Sequence, residues 1–389
     1  MINYPFEQVF TVEDLLASRP DSVLNFSDAG KFTPTQYSYL DNYFPRENNQ
    51  SRQYYSSSWW GKNFNYPQIQ LAHVRNAKLT PGNLFDQNSN ASYTTASVRQ
   101  EDGTIIDISL HNRRRKIIKS HDLNFDNYNF EFHNGYYMWI GHIFPHYGHF
   151  LLESLARLWP LKLLKLDNFK FVAHIEGGNY ALPFIQQFFS LLGISEQNLI
   201  CVDSPKQFEQ LLVPTASYAL GVYNTPFQDS TWQLISSQIR VNTNFGSKVY
   251  FSRLRFNQSK PKTKRFLNEE EIERLFEDNG FQVIYPETLS VEQQISAAKN
   301  AGIVAGCIGS AMYNAAFMKE NGKVFIIAPD NFCFPDDLLI SHYRKNHVFY
   351  LFVQGNHLEG ESTRKQNISV DIKHLKTNLL KLSETPNLK

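Results

Sequence analysis

Between Tyr250 and Pro329 the chain reads as strand, basic loop, helix, strand, helix, strand, glycine turn, helix, strand. The turn, Gly306-Cys307-Ile308-Gly309-Ser310, lies between an apolar run, Ala301-Gly302-Ile303-Val304-Ala305, and a helical run from Ala311 to Met318. Alternation of this kind leaves one main solution, a mostly parallel sheet with helices on both faces. A buried strand that turns on glycines into a helix is also where α/β proteins hold phosphates. The amides of the first helical turn lack partners there, and the helix dipole favours an anion.

The same rhythm runs earlier. Ser97 to Gln100 and Thr104 to Ile108 flank the hairpin signal Glu101-Asp102-Gly103. Tyr136 to Ile140 reads as a strand. A helix is predicted from Pro145, with Phe150, Leu151, Leu155, Leu158 and Leu161 as its apolar stripe. Strands at 169–173, 199–202 and 211–214 alternate with helices at 182–192 and 228–241. The pattern restarts at Val249 after Asn242-Thr243-Asn244-Phe245-Gly246-Ser247, which marks a domain boundary. The chain divides into an irregular lead-in (1–65), a first α/β domain (66–245), a second (246–355) and a tail (356–389). The tail pattern Ile372, Leu375, Leu379, Leu382 predicts a helix packing back on the first domain. The fold class is α/β, with two Rossmann-like domains facing a central cleft at the carboxyl ends of both sheets.

Lys plus Arg number 38 against 37 for Asp plus Glu, a net charge of +1, which speaks against bulk nucleic-acid binding. Three cysteines, Cys201, Cys307 and Cys333, stand singly, so neither a disulfide framework nor a zinc knuckle is indicated. The first residues lack the pattern of a secretion signal, and no apolar run approaches a membrane span. A cytoplasmic protein is expected. The run Arg113-Arg114-Arg115-Lys116 is a solvated charge patch or, on the alternative reading, a peripheral contact with anionic lipid of the inner membrane.

Candidate chemistry gathers at strand ends. Ser252 and Arg253 follow the first strand of the second domain, with Arg255, Lys260, Lys262, Lys264 and Arg265 beyond. An arginine there can fork two oxygens of a diphosphate. Asn268 begins a helix as its cap. Glu287 ends the next strand, where ribose hydroxyls are held in such folds, or is a surface acid. The turn offers the Gly309 and Ser310 amides and the Ser310 hydroxyl, with Asn314 one helical turn later. In the first domain, Gly141 to His149 carries three histidines, and Glu153 lies four residues after His149. Metal binding by these histidines, the basis of a metal-dependent hydrolase, has no supporting cysteine or acid cluster. One histidine acting as a general base, with His149 the candidate, suits the pattern better.

Taken in order, these pieces resemble glycosyltransferase family 61 in its bacterial capsular-polysaccharide form. His146 to Leu158 is similar to the family's "HW-x-x-E-x-L-P-R-L" helix, and Phe251-Ser252-Arg253 with Arg265 to Glu269 is similar to "SR…R-x-x-NE". Gly280 to Glu287 and then Gln293 to Asn314 resemble "Gf-x-vv-x-pE…Q…A-x-vv-x-G-x-H-G-a-x-x-x-N". The resemblance covers about residues 130–330. It implies a GT-B fold, and inverting transfer from a nucleotide sugar to a glycan or lipid-linked saccharide, with no cofactor and no obligatory metal. It puts Ser252, Arg253, Arg265, Asn268, Glu287, Gln293, Gly306, Gly309, Ser310 and Asn314 on the donor side, in the second domain. His149, with His146 and Glu153, falls on the acceptor side, in the first domain. One departure is Ile308, where the family's turn carries histidine. Either that histidine is not catalytic, or His149 or another group serves, or the chain is a non-catalytic nucleotide-sugar-binding partner in a glycan assembly complex.

Overall fold

A computed structural model describes residues 10–11, 23–35, 37–39, 61–82, 93–94, 96–113, 116–120, 123–165, 169–175, 182–241, 244–259, 265–329, 333–354 and 367–384. Lys260, Lys262, Lys264, Arg114 and Arg115 lie outside them. The chain forms two compact units, one of residues 1–31 and 64–235, the other of 32–63 and 236–389. Both are mixed α/β. The lead-in is not a separate body: β1 (Val23–Ser27) joins the first unit's sheet and β2 (Tyr37–Tyr39) the second's.

The first unit is built on β1, β3 (Ile69–Leu79), β4 (Glu131–Ile143), β5 (Lys170–Ile175), β6 (Leu199–Cys201) and β7 (Lys206–Pro214). Their order is β6-β5-β4-β7-β3-β1. The four strands from β4 to β7 run parallel, while β3 and β1 are antiparallel additions. Helices α1 (Tyr147–Leu152), α2 (Pro183–Leu191) and α3 (Pro226–Ser237) complete the alternation. The hairpin expected at 97–108 is reduced to a tight turn. Arg99 makes single bridges to Lys78 and Ile105, its guanidinium donates to Gly103 O and Ser120 Oγ, and 107–109 coil into a 3-10 turn.

The second unit carries β8 (Lys248–Phe251), β9 (Gln282–Ile284), β10 (Ile303–Cys307), β11 (Lys323–Pro329) and β12 (His347–Val353) with α4 (Leu254–Ser259), α5 (Glu269–Asp278), α6 (Val291–Asn300), α7 (Asp336–Tyr343) and α8 (Ile372–Glu384). The sheet is parallel throughout, in the order β9-β8-β10-β11-β12-β2. All seven residues of β11 are buried, as a strand covered on both faces requires. The chain leaves β8 toward β9 on one side and toward β10 on the other. The gap between the carboxyl ends of β8 and β10 is therefore the switch point, where such sheets bind ligands.

The tail helix α8 forms, but the expectation that it packs on the first domain is not met. Leu375, Leu379 and Leu382 are buried in the second unit's core, with Phe276, Phe325, Phe349 and Leu351. The apolar stripe predicted that one face would be covered and carried no information about the partner surface. Among the described residues no helix is long and apolar enough to cross a membrane.

The first unit also buries a titratable group. His174 Nδ1 accepts from Trp139 Nε1 at 3.2 Å and its Nε2 donates to Thr80 O at 3.1 Å. Burial first, and then the neighbouring His142, pull its pKa from 6.5 down to about 3. Below pH 6.5 the unfolded chain takes a proton that the folded one refuses, so stability falls with acid until about pH 3. The loss from this residue is about 2 kcal/mol between neutrality and roughly pH 5. Denaturant melts of wild type and His174→Gln at the two pH values test this. The variant is expected to show a shallower acid slope by about one proton, and an unchanged slope would assign the effect elsewhere.

Candidate functional site

In the first unit β4 ends at Ile143 and the chain re-enters a helix at Tyr147. His146 is the N-cap of α1, its ring Nδ1 facing the His149 amide at 3.5 Å. One turn on, His149 Nδ1 lies 2.6 Å from Glu153 Oε2. The other oxygen, Oε1, lies 2.9 Å from Nε2 of His111. The Glu153 side chain is 1% exposed, His111 10% and His149 30%. An ionised carboxylate only accepts, so each ring nitrogen facing Glu153 carries its hydrogen. That tautomer leaves Nε2 of His149, the more exposed of the two rings that face Glu153, as its basic nitrogen.

The expected continuous helix from Pro145 to Leu161 is broken. α1 stops at Leu152, and two 3-10 turns follow, Ser154–Arg157 and Trp159–Lys162. Ser154 Oγ accepts from Phe144 N at 2.9 Å, Pro160 has no N–H to give, and Arg157 turns inward to backbone carbonyls. Of the predicted stripe, Phe150, Leu151, Leu155 and Leu158 are nevertheless buried, and Leu161 is half-buried. Of the other histidines in the 142–149 run, His142 is buried and stacks on His174 at 5.2 Å. Among the described residues no group of three or more His, Cys, Asp or Glu is arranged to hold a metal ion.

In the second unit, Ser252 and Arg253 follow β8 directly. The Arg253 guanidinium lies against the glycine turn: a methyl group on Gly309 would come within 2.8 Å of Nη1. Gly309 has φ 155° and ψ −178°, a conformation open in practice only to glycine. Arg253 and Gly309 thus meet at the switch point between β8 and β10. The segment after the turn is a 3-10 helix, Ser310–Phe317, rather than an α-helix. Its hydrogen bonds begin with Met312 N to Gly309 O, so the Ser310 and Ala311 amides precede the ladder.

Beneath Arg253 lies a buried carboxylate, Glu269, in the first turn of α5. Glu269 Oε1 accepts from Arg253 N at 2.8 Å and from Tyr250 Oη at 3.3 Å. Burial pushes its pKa up, against the pull of the Arg253 amide and charge. Ser252 Oγ donates to Glu273, whose other oxygen accepts from Tyr285 Oη at 3.2 Å. Arg255 lies 3.9 Å over the Tyr285 ring.

The remaining expected donor-side residues divide. Ser310 opens the 3-10 helix, half-buried, and Glu287 is exposed just past β9. Gly306 spaces the backbone, since a methyl there would sit 2.7 Å from Met312 Sδ. Asn314 is fully buried and donates to Gln294 Oε1 and Ala311 O. Gln293 completes the capping box with Ser290. The Asn268 side chain pairs both ways with the Val370 backbone, at 2.8 and 3.0 Å, and gives α5 no side-chain cap bond. Ser252 holds the carboxylate floor. The Arg265 side chain lies outside the described residues. Ile308 points into the core, 4% exposed.

Residues 147–325, from α1 into β11, match the family model described as Glycosyltransferase 61. The span takes in His149, Glu153, Arg253 and Gly309, and leaves His111 outside. No curated protein matches the chain.

Proposed function

From the premise that residues 147–325 form a glycosyltransferase family 61 domain, and that the chain is a glycosyltransferase, we propose that it moves a sugar from a nucleotide-sugar donor with inversion. The observation that carries this is the Arg253 guanidinium against Gly309 at the switch point of the second sheet. The leaving nucleoside diphosphate needs a cation and N–H dipoles where its charge grows. Arg253 and the Ser310 and Ala311 amides suit that need, without an obligatory metal. The acceptor oxygen attacks the anomeric carbon, the diphosphate departs with the bonding pair, and the acceptor proton passes to Nε2 of His149.

Two α/β units, each built around parallel strands, support a GT-B-type enzyme. The proposed acceptor is a growing surface glycan of a bacterium: capsule, lipopolysaccharide or exopolysaccharide. The proposed setting is the cytoplasmic face of the inner membrane, and the charge of the run Arg113-Arg114-Arg115-Lys116 supports it.

Thermal melts with UDP-, GDP- and CMP-sugars and the free nucleotides test the donor half. A true donor at 100 times its Kd adds about 2.7 kcal/mol of stability. Arg253→Ala is expected to abolish that shift while melting like wild type without ligand. Failure of every nucleotide and nucleotide sugar to raise the melting temperature would overturn the reading.

A further inference from the structure

His111 lies 42 residues before Glu153 in sequence and outside the span that matches the family, yet it holds the second oxygen of the same buried carboxylate. Its ring is 10% exposed, flanked by His142 at 5.9 Å and Phe144 at 5.8 Å. The His149 ring also lies against Phe144, at 6.0 Å. The carboxylate is thus clamped between two imidazoles, one nearly enclosed and one facing outward. A carboxylate removed from water remains an anion when N–H donors meet its oxygens. Loss of the donor on Oε1 raises the cost of keeping Glu153 ionised and favours uptake of a proton. A protonated Glu153 can give that proton toward Nδ1 of His149, which places the imidazole hydrogen on Nε2, the nitrogen the reaction needs as a base.

We propose that His111 is a positioning residue. Its Nε2–H holds Glu153 ionised and fixed in rotation, so that Oε2 keeps the His149 proton on Nδ1 and Nε2 of His149 stays basic. This deepens the proposed function and rests on its reading of His149 as the base. The same logic, a carboxylate setting a tautomer, governs serine-protease triads. What differs is that the carboxylate is itself oriented by a second imidazole.

The test needs no donor. Long-range nitrogen–proton NMR of the full chain, at a pH well above the ordinary histidine range, reports which ring nitrogens carry hydrogen. In wild type, His149 is expected as the Nδ1–H tautomer and His111 as the Nε2–H tautomer. His111→Leu removes the donor and is expected to move His149 toward the Nε2–H form. His111→Gln places an amide N–H near the lost Nε2–H and is expected to restore the wild-type His149 signals. A wild-type His149 in the Nε2–H form overturns the proposal, as does a folded His111→Leu whose His149 tautomer is unchanged. Should His111→Leu fail to fold, the wild-type and His111→Gln spectra decide. Loss of the Nδ1–H form in a folded His111→Gln counts against the clamp. If His149 follows His111 but no nucleotide sugar binds, the clamp stands and the transferase donor reading falls.

Discussion

Alanine at His149 and glutamine at Glu153 are each expected to slow sugar transfer by about 10²–10⁴-fold, and the double variant to be little slower than His149→Ala alone. A general base supplies a factor of that size when it is aligned and in the right protonation state. Glu153 is buried and reaches His149 Nδ1 at 2.6 Å, so its contribution runs through that ring. Glutamine keeps the shape but turns one acceptor into an amide donor, and one of the two facing rings must then present a lone pair. If that ring is His149, its hydrogen moves to Nε2 and the base is lost with the geometry intact. The KM for donor is expected to stay near wild type in both variants, because the turn at Arg253 and Gly309, the proposed donor site, belongs to the other unit. Initial-rate kinetics over donor concentrations from below KM to saturation measure both the rate and the KM. Losses that multiply in the double variant would mean that Glu153 has a task of its own.

Legibility followed sequence distance. The glycine turn was readable because its signal is local: a short apolar strand, two glycines, and a conformation at Gly309 that other residues avoid. Arg253 was readable because it directly follows a strand. His149 and Glu153 were readable because a spacing of four places them on one helical face. Asn268 and Asn314 resemble ligand-binding amides in sequence. Their partners are Val370, 102 residues away, and Gln294 on a neighbouring helix, and nothing local announces either. Glu269 stands where an acid is ordinary in the first turn of a helix, and its duty under the Arg253 amide depends on how β8 meets α5. His111 sits beside a run of four basic residues and 42 residues from Glu153, so no local spacing links it to the carboxylate. The break after Leu152 was missed because helical periodicity continues through residues that the fold needs as 3-10 turns.

Replacement of Arg157 by methionine is expected to destabilise the first unit by about 3–5 kcal/mol. This arginine lies within the His146-to-Leu158 motif, and the structure gives it a packing task. It is 4% exposed, and its guanidinium donates to Ile108 O, Ser109 O, Leu110 O and Pro214 O. It lies 4.6 Å over the Trp139 ring, and burial brings its pKa down to about 10, so it stays charged at neutral pH. Gly141, at φ 88°, leaves the room: a methyl group there would come within 2.9 Å of Arg157 Cδ. Two terms oppose each other in the variant. Removing a buried charge relieves desolvation, which is why apolar replacements of ionic groups are often tolerated. The acceptors here are main-chain carbonyls, however, and a substitution at 157 cannot remove them. Each one left without a donor costs on the order of 1 kcal/mol or more, and several orphaned together exceed the relief. Three of them belong to 108–110, the segment that delivers His111 to Glu153, so alignment of the imidazole clamp is expected to fail with them. Arg157→Lys, a point charge without the planar fork, is expected to recover part of the loss. Denaturant unfolding of the three proteins measures the difference. A methionine variant as stable as wild type, with transfer abolished, would overturn the packing role and give Arg157 a part in the reaction.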